Sequence, residues 1–295
     1  MPDEPTPRPT ALVAGCGDLG TEVALRLAAR GEHVLGLRRR IEVLPPEIAG
    51  LSVDLTRDRP DLPEGTYDLL AVVLTADGGD AKAYRRTYVD GLARTLDALD
   101  ARGARPRRAV LVSSSGVYGD TTGPVDETTP VAPSRPTHEI LLEAERLFHA
   151  RLPHGTVLRL SGLYGPGRAT FIGRVKASEV RERWTNRIHR DDAAAAVVHL
   201  LSAPSESSES PLESPPPLLL GTDTEPARAS EVADFVRHLL GLPGLPARPA
   251  PETTSEPPGR RLSSAALRAT GFTFAHPTYR EGYTAVIGGR GERHP

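Results

Sequence analysis

The sequence predicts an α/β fold built on a doubly wound parallel sheet with a small C-terminal lobe, and three observations carry that expectation. Short apolar runs recur at 10–14, 33–37, 51–55, 67–74 and 108–113. Helix-period segments lie between them, notably the stretch after Gly20 and the one over 81–101, and strands alternating with helices argue for parallel pairing through crossovers. The run 67–74 is continuously apolar rather than alternating, as expected of a strand buried on both faces.

The first strand runs into Gly15-Cys16-Gly17-Asp18-Leu19-Gly20, spelled G-x-G-x-x-G, and then into a helix carrying Val23, Leu25, Leu27 and Ala28. The glycine pattern alone is weak; a strand before it and a helix after it are the context that gives it meaning. Gly15 permits the tight turn, Gly17 lets backbone amides approach a pyrophosphate, and Gly20 lets the helix pack closely on the strand. The helix N-terminus adds unpaired N–H groups and a positive dipole end. This is a Rossmann-type arrangement, with Gly15, Gly17, Asp18, Leu19 and Gly20 as candidate cofactor-binding residues. Cys16 reads as a small residue filling the corner.

Gly31 stops the first helix, and the second strand ends at Arg38-Arg39-Arg40. An acidic residue there would bind the ribose 2′-hydroxyl of NAD, whereas guanidinium groups suit a 2′-phosphate, so NADP is the favoured cofactor and NAD the second choice. The competing reading of Arg38 and Arg39 is a solvated basic turn. Asp54, ending the third strand, could accept the adenine amino group. Leu55, Leu74, Thr75, Ser113 and Leu160, at or just past the ends of their strands, complete the expected cofactor lining.

The 295 residues have room for one large α/β domain and a smaller part. A net charge of -2 creates no basic field, so nucleic acid is not an expected partner. One cysteine excludes an intrachain disulfide framework and a cysteine-cluster metal site. Residues 1–9 lack a basic n-region and an apolar h-region and read as a disordered tail. No apolar run is long enough to span a bilayer, and a soluble, cytoplasmic protein is expected. The expected organisation is a tail over 1–9, a dinucleotide-binding domain over 10–165, and a small substrate-side lobe over 166–290 with elements returning to the first domain. Within that lobe, 202–217 is a Ser/Glu/Pro-rich, flexible insertion. Residues 218–221 read as a returning strand, Ser230-Glu231 open a capped helix, a Pro-rich link covers 245–258, and a short helix follows Arg260-Arg261-Leu262.

Ser113-Ser114-Ser115-Gly116-Val117-Tyr118-Gly119 resembles the S-S-x-x-V-Y-G signature of the extended short-chain dehydrogenase/reductases, the NAD(P)-dependent epimerase/dehydratase superfamily. Pro133-Ser134-Arg135-Pro136 is similar to the P-x-x-P before that family's active-site helix, and Arg159 to Gly167 resembles its R-x-x-x-x-Y-G-P-G turn. Asn186-Arg187-Ile188-His189-Arg190-Asp191-Asp192-Ala193 resembles its N-x-I-H-x-D-D-A segment. The resemblance covers about 10–201 and implies hydride transfer at a nicotinamide, with a serine, here Ser114, polarising the substrate oxygen. It also implies a tyrosine base whose phenol, ordinarily near pKa ≈ 10, is brought toward neutrality by a lysine four residues on.

That pair is missing. The proline pair puts Thr137 at the tyrosine position and Leu141 at the lysine position, while Glu143-Ala144-Glu145-Arg146-Leu147 keeps the helix in register. The two lysines, Lys82 and Lys176, have Gly78 and Ile172 four residues before them, so the chain contains no Y-x-x-x-K. The asparagine common on the preceding helix is absent too, with Tyr88 near its place. The chain therefore resembles atypical members that keep the cofactor site and lose the catalytic set.

His138, Tyr118 and Tyr164 are residues that could substitute, each against a packing or capping role. His138 begins an H-E-x-x pattern with no second histidine, so no zinc-protease site is expected, and Asp191-Asp192 read as a helix start; no metal is expected. Arg168, Arg174, Arg181, Arg183, Arg187 and Arg190 cluster where related enzymes hold the diphosphate of a nucleotide sugar; a solvated arginine face is the alternative. Two functions follow. One is an NADP(H)-dependent oxidoreductase or epimerase-like enzyme with an atypical site, acting on a small carbonyl or hydroxyl substrate. The other is a non-catalytic NADP(H)-binding regulator. A homodimer, as in relatives, is a possible assembly.

Overall fold

A computed structural model describes residues 10–202, 215–244 and 256–295. The expected tail over 1–9, most of the insertion at 202–217 and most of the link at 245–258 lie outside the described residues. The chain opens with β1 (Ala11–Ala14), α1 (Asp18–Ala28), β2 (Val34–Arg38), β3 (Ala49–Ser52) and β4 (Leu69–Val72). Then come α2 (Ala81–Tyr84), α3 (Gly91–Ala101), β5 (Arg108–Ser114), β6 (Gly123–Val125), α4 (Pro136–Arg151), β7 (Thr156–Leu160) and β8 (Gly162–Tyr164). The remainder is α5 (Thr170–Lys176), β9 (Trp184–Thr185), β10 (Arg187–His189), α6 (Arg190–Leu201), β11 (Leu218–Gly221), β12 (Ala227–Arg228), α7 (Ala229–Leu239), β13 (Arg260–Leu262), α8 (Ala265–Ala269) and α9 (Tyr279–Ile287).

Seven strands form one sheet in the order β11-β7-β5-β4-β1-β2-β3, every pair parallel. The order reverses beside β1, at the boundary with β4, and that switch point is where an open α/β sheet receives its ligand. One face is covered by α1 and α6, where Leu19, Val23 and Leu27 share a core with the small residues Ala193, Ala194, Ala196 and Val197. The other face buries Leu92, Leu96 and Leu99 of α3 with Ala144 and Phe148 of α4.

Local departures from the expected elements have identifiable causes. The single helix expected over 81–101 is interrupted at Arg85–Asp90, which winds as a π-helix. The wider turn re-phases the side chains, so Tyr84 and Tyr88 pack on a cluster around Leu141 while α3 faces the sheet. The third strand is 49–52 rather than 51–55, because Asp54 Oδ1 accepts from the Thr56 amide at 3.0 Å and turns the chain out of the ladder. The fourth strand starts only after Tyr67, which has φ 51 and donates its hydroxyl to the Pro63 carbonyl at 2.7 Å.

The smaller lobe is held by Tyr164, Val175, Val232, Val236, Tyr279 and Tyr283. It is tied back by β10 pairing with β8 and by β13 pairing with β6. The returning strand expected at 218–221 is the sheet's edge strand β11.

A Cβ on Gly20 would stand 2.1 Å from the Gly15 carbonyl oxygen, and one on Gly15, at φ +96, would stand 2.4 Å from the Val73 carbonyl oxygen. Both obstacles are backbone, so neither can swing aside. We expect Gly20→Ala to destabilise the fold by roughly 1–3 kcal/mol through overpacking. A urea midpoint equal to that of the parent chain would show that α1 does not need this approach.

Candidate functional site

The C-terminal ends of β1, β2 and β4 frame a cavity of about 240 Å³ lined by Gly15, Cys16, Gly17, Arg38, Arg39, Asp54, Leu55, Leu74 and Thr75, among others. These are mostly the residues expected from sequence. Gly17 is exposed with open space where a Cβ would lie, as a cradle for a phosphate requires. Leu19 and Gly20 are buried in the first turn of α1 beneath it. Burial pushes the Cys16 thiol up to about 12, so it fills space and does not act as a thiolate. Arg38 is half-buried; its Nη2 donates to the Pro295 carbonyl at 3.2 Å, while Nη1 is buried with no partner among the described residues. Arg39 is committed to an exposed two-pronged pair with Asp77 at 2.5 and 2.9 Å. Asp54 lies on the wall with Oδ1 already accepting from the Thr56 amide and hydroxyl, which hold its carboxyl below the usual range.

Asp18, expected to bind the cofactor, does not line this cavity. Its carboxylate receives Arg168 at 2.8 Å and Arg190 at 3.2 Å, so two arginines of the expected anion cluster are used to bind α1.

Below the site lies a buried polar hub. Glu145 of α4 receives two bonds from Arg159 of β7, at 3.0 and 2.6 Å, and a third from the Ser113 hydroxyl at 2.6 Å. Arg159 Nη1 also donates to the Tyr118 hydroxyl at 2.9 Å, and that hydroxyl donates to the Asp126 carbonyl at 3.2 Å. Burial works against the Arg159 charge, yet Glu145 outweighs it and holds the guanidinium above its ordinary range. Ser113 is thus a structural ligand of Glu145, and Leu160 is buried in the core at the end of β7. Ser114, next along β5, is half-buried; its Oγ accepts from the Gly116 amide at 3.1 Å and caps the short turn that follows. On α4, Thr137 is half-buried, and Leu141 packs among Val117, Tyr118, Val125, Leu220 and Leu262.

A second cavity, of about 860 Å³, lies between the lobes. Arg174, Arg181, Arg183 and Arg260 line it against the single acidic residue Glu179, with Phe171, Trp184, Asn186, Ser115 and Gly162. Trp184 is flanked by the guanidiniums of Arg228 and Arg261, 5.7 and 5.1 Å from its ring. Arg260 Nη1 donates to the Gly119 carbonyl at 2.5 Å, while its Nε is buried with no partner among the described residues. Of the expected arginine cluster, Arg174, Arg181 and Arg183 face this cavity; Arg187 is buried against Tyr279 instead. Arg260 was not among the expected site residues; its only signal is the Arg260-Arg261 pair after the Pro-rich link, and only β13 pairing with β6 brings it here.

Residues 11–213 match the NAD dependent epimerase/dehydratase family. The chain belongs to this family. Protein YeeZ of Escherichia coli K12 is 33% identical over 204 residues, covering 65% of this chain and 73% of that protein. A 3-diazoavenalumate denitrifying reductase of a Streptomyces species is 28% identical over 312 aligned positions, covering 92% of this chain and 98% of the relative. A solved protein of Methylobacillus flagellatus, described as an NAD-dependent epimerase/dehydratase, is 35% identical with a TM-score of 0.77, covering 96% of this chain and 99% of that one.

Two further buried polar features belong to this family member: a cluster in which His276, unforeseen from sequence, joins the His189 and Asp191-Asp192 segment, and the lone Asp223. His189, Asp192 and His276 bring potential metal-ligating atoms within 4.8 Å of one another. Most of these atoms already serve the fold: His189 Nδ1 accepts from the Asp191 amide, and the Asp192 oxygens accept from the amides of Ala275 and His276, while His189 Nε2 has no partner among the described residues. Burial, then His276, pushes His189 down to about 4. Asp223, just past β11, is fully buried, and neither carboxyl oxygen has a hydrogen-bond partner among the described residues. Burial, only partly offset by Arg187, pushes it up to about 8.

Two outcomes follow from these buried charges. Arg159→Met should leave Glu145 buried without its counterion and cost about 3–5 kcal/mol, whereas the double variant Glu145→Leu/Arg159→Met should recover most of that loss. Equal destabilisation of the single and double variants in denaturant melts would remove the pair from its central place. For Asp223 the folded chain holds a proton that the unfolded chain releases at ordinary carboxylate pH, so stability should decline as pH rises from that range to about 8. Asp223→Asn should flatten that decline in melts followed across pH; an unchanged slope would assign it to other groups.

Proposed function

We propose that this protein is an NADP(H)-dependent oxidoreductase that reduces a small anionic carbonyl compound or oxidises the corresponding alcohol. The observation that carries the cofactor half is Arg38, which holds a buried Nη1 without a partner among the described residues at the rim of the glycine-turn cavity. A ribose 2′-phosphate would supply that partner through a charge-assisted hydrogen bond. The amides at Gly17 and the α1 N-terminus would receive the pyrophosphate, and the wall formed by Asp54, Leu55 and Leu74 would take the adenine. When bound, NADP supplies or accepts a hydride at its nicotinamide ring.

The remaining work falls to the chain's own residues. Ser114 would hold the substrate oxygen by its hydroxyl. Arg174, Arg181, Arg183 and Arg260 would bind the substrate's anionic end, and Trp184 and Phe171 offer faces for a planar body. A relative that is itself a reductase supports the direction of reduction. The second reading is an NADP(H)-binding regulator, favoured by Thr137 and Leu141 at the tyrosine and lysine positions.

The test is to mix the protein with NADPH and a panel of aldehyde and α-keto acids, aromatic ones included, and to follow nicotinamide absorbance. We expect oxidation that Ser114→Ala reduces by at least tenfold; tight NADPH binding with no oxidation anywhere on the panel would favour the regulator. In calorimetric titrations, Arg38→Asp should shift the NADP-over-NAD preference by roughly ten- to a hundredfold, since a charged hydrogen bond is worth about 1.5–3 kcal/mol. An unchanged ratio would exclude Arg38 from the phosphate site.

A further inference from the structure

The family's tyrosine is missing, and the two loop tyrosines near the site do not replace it. Tyr118 is fully buried with its hydroxyl engaged by Arg159 and Asp126, and burial raises its pKa. Tyr164 is buried too, its ring stacked 4.7 Å from that of Tyr283, and burial raises it further. A different group stands beside Ser114. A Cβ placed on Gly116 would lie 3.2 Å from His138 Nε2 and 3.2 Å from Ser114 Oγ, so both atoms converge on one glycine that has no side chain to separate them.

We propose that His138 is the acid/base residue of this chain, exchanging a proton through Nε2 with the substrate oxygen that Ser114 holds. This rests on the reading of the protein as an NADP(H)-dependent oxidoreductase. His138 sits in the first turn of α4, one residue beyond the vacant tyrosine position. A one-residue step turns a side chain by about 100°, yet the imidazole of His138 still reaches the Ser114 turn, its Nε2 and Cδ2 lying 3.2 and 3.4 Å from where a Gly116 Cβ would stand. Two hydrogen bonds of about 3 Å each allow one substrate oxygen to lie between Nε2 and Ser114 Oγ. The other ring nitrogen, Nδ1, is buried with no partner among the described residues, so no neighbour fixes the tautomer.

In reduction, the carbonyl carbon receives the hydride with its electron pair, the C=O π pair moves to oxygen, and oxygen takes the Nε2 proton of the imidazolium. The ring is left neutral and regains its proton from water. Oxidation of the alcohol runs the same steps backwards, with neutral imidazole as base. The groups facing the ring are Arg135 at the start of α4, Arg260 on β13 and Asp120 after the Ser114 turn. Burial first, then the two arginines, hold His138 below its ordinary value, against the opposing pull of Asp120. Unlike a phenol, an imidazole needs no neighbouring lysine to exchange protons within reach of physiological pH.

The deciding experiment needs no substrate. Oxidised nicotinamide carries a positive charge that the reduced ring lacks, so a histidine beside it must titrate differently in the two complexes. His138 is assigned in histidine-labelled protein as the imidazole signal lost in His138→Gln, and titrated by NMR with saturating NADP and then NADPH. We expect its pKa to be lower with NADP by roughly half a unit to one unit, as Coulomb's law gives for one charge several ångströms away at high effective dielectric. Identical values in the two complexes would overturn the assignment. Failure of both cofactors to bind would overturn the oxidoreductase reading and this inference together. With a turned-over substrate, kcat/KM for reduction should fall as pH rises through the His138 value; His138→Gln should remove that inflection while changing NADPH affinity by less than about twofold. An inflection that survives in the variant would also overturn the proposal.

Discussion

The buried pair of Glu145 and Arg159 is the constraint on which the site's geometry rests. Two opposite charges removed from water are tolerable only when each is nearly saturated with hydrogen bonds. Here that demand is met by Ser113 on β5 and Tyr118 on the turn beyond it. The hub therefore ties α4, β5, β7 and the Ser114 turn into one unit. Glu145 lies two helical turns along α4 from His138. The rotation of α4 that satisfies the ion pair thus also decides which side chains its first turn presents to Ser114.

A second electrostatic problem arises at the cofactor helix. The N-terminus of α1 should welcome an anion, yet its first residue is Asp18. Arg168 and Arg190 neutralise that carboxylate, and Glu22, one turn on, receives His294 at 2.9 Å. These contacts come from the turn after β8, from α6 and from the C-terminal segment, so the cofactor helix is clasped by elements distant in sequence. Charge on Asp18 is thereby matched locally, and the backbone amides of the glycine turn remain the groups suited to phosphate.

The outcomes above depend on features that were unequally legible in the sequence. The glycine turn, the strand run and the arginine that ends β2 were legible because each reflects a local demand: a backbone with no room for a Cβ, a strand buried on both faces, a fixed place at a strand end. The π-segment at Arg85–Asp90 was not, since its helix-period pattern is the same as that of an unbroken helix. The fates of the arginines were not legible either. Arg174, Arg181 and Arg183 face a cavity, Arg168 and Arg190 serve Asp18, and Arg187 is buried, though all six read alike in composition. Long-range partners decide such roles, and spacing along the chain does not encode them.

The residues at the positions that the family resemblance assigns to tyrosine and lysine are mutually consistent. Leu141 occupies the lysine position inside an apolar cluster with Val117, Val125, Leu220 and Leu262. An ammonium there would be desolvated among these apolar side chains, and Glu145, one turn further along α4, is already committed to Arg159 and Ser113, so the packing that accepts leucine disfavours lysine. Without that cation a phenol at position 137 would keep a pKa too high for proton transfer near neutrality, and a tyrosine there would serve no acid/base purpose. Gly116 has no side chain, and the His138 imidazole and the Ser114 hydroxyl pack against the place one would occupy. The segment to which the family resemblance assigns the tyrosine–lysine pair thus brings beside Ser114 an imidazole, the proposed acid/base group of this chain.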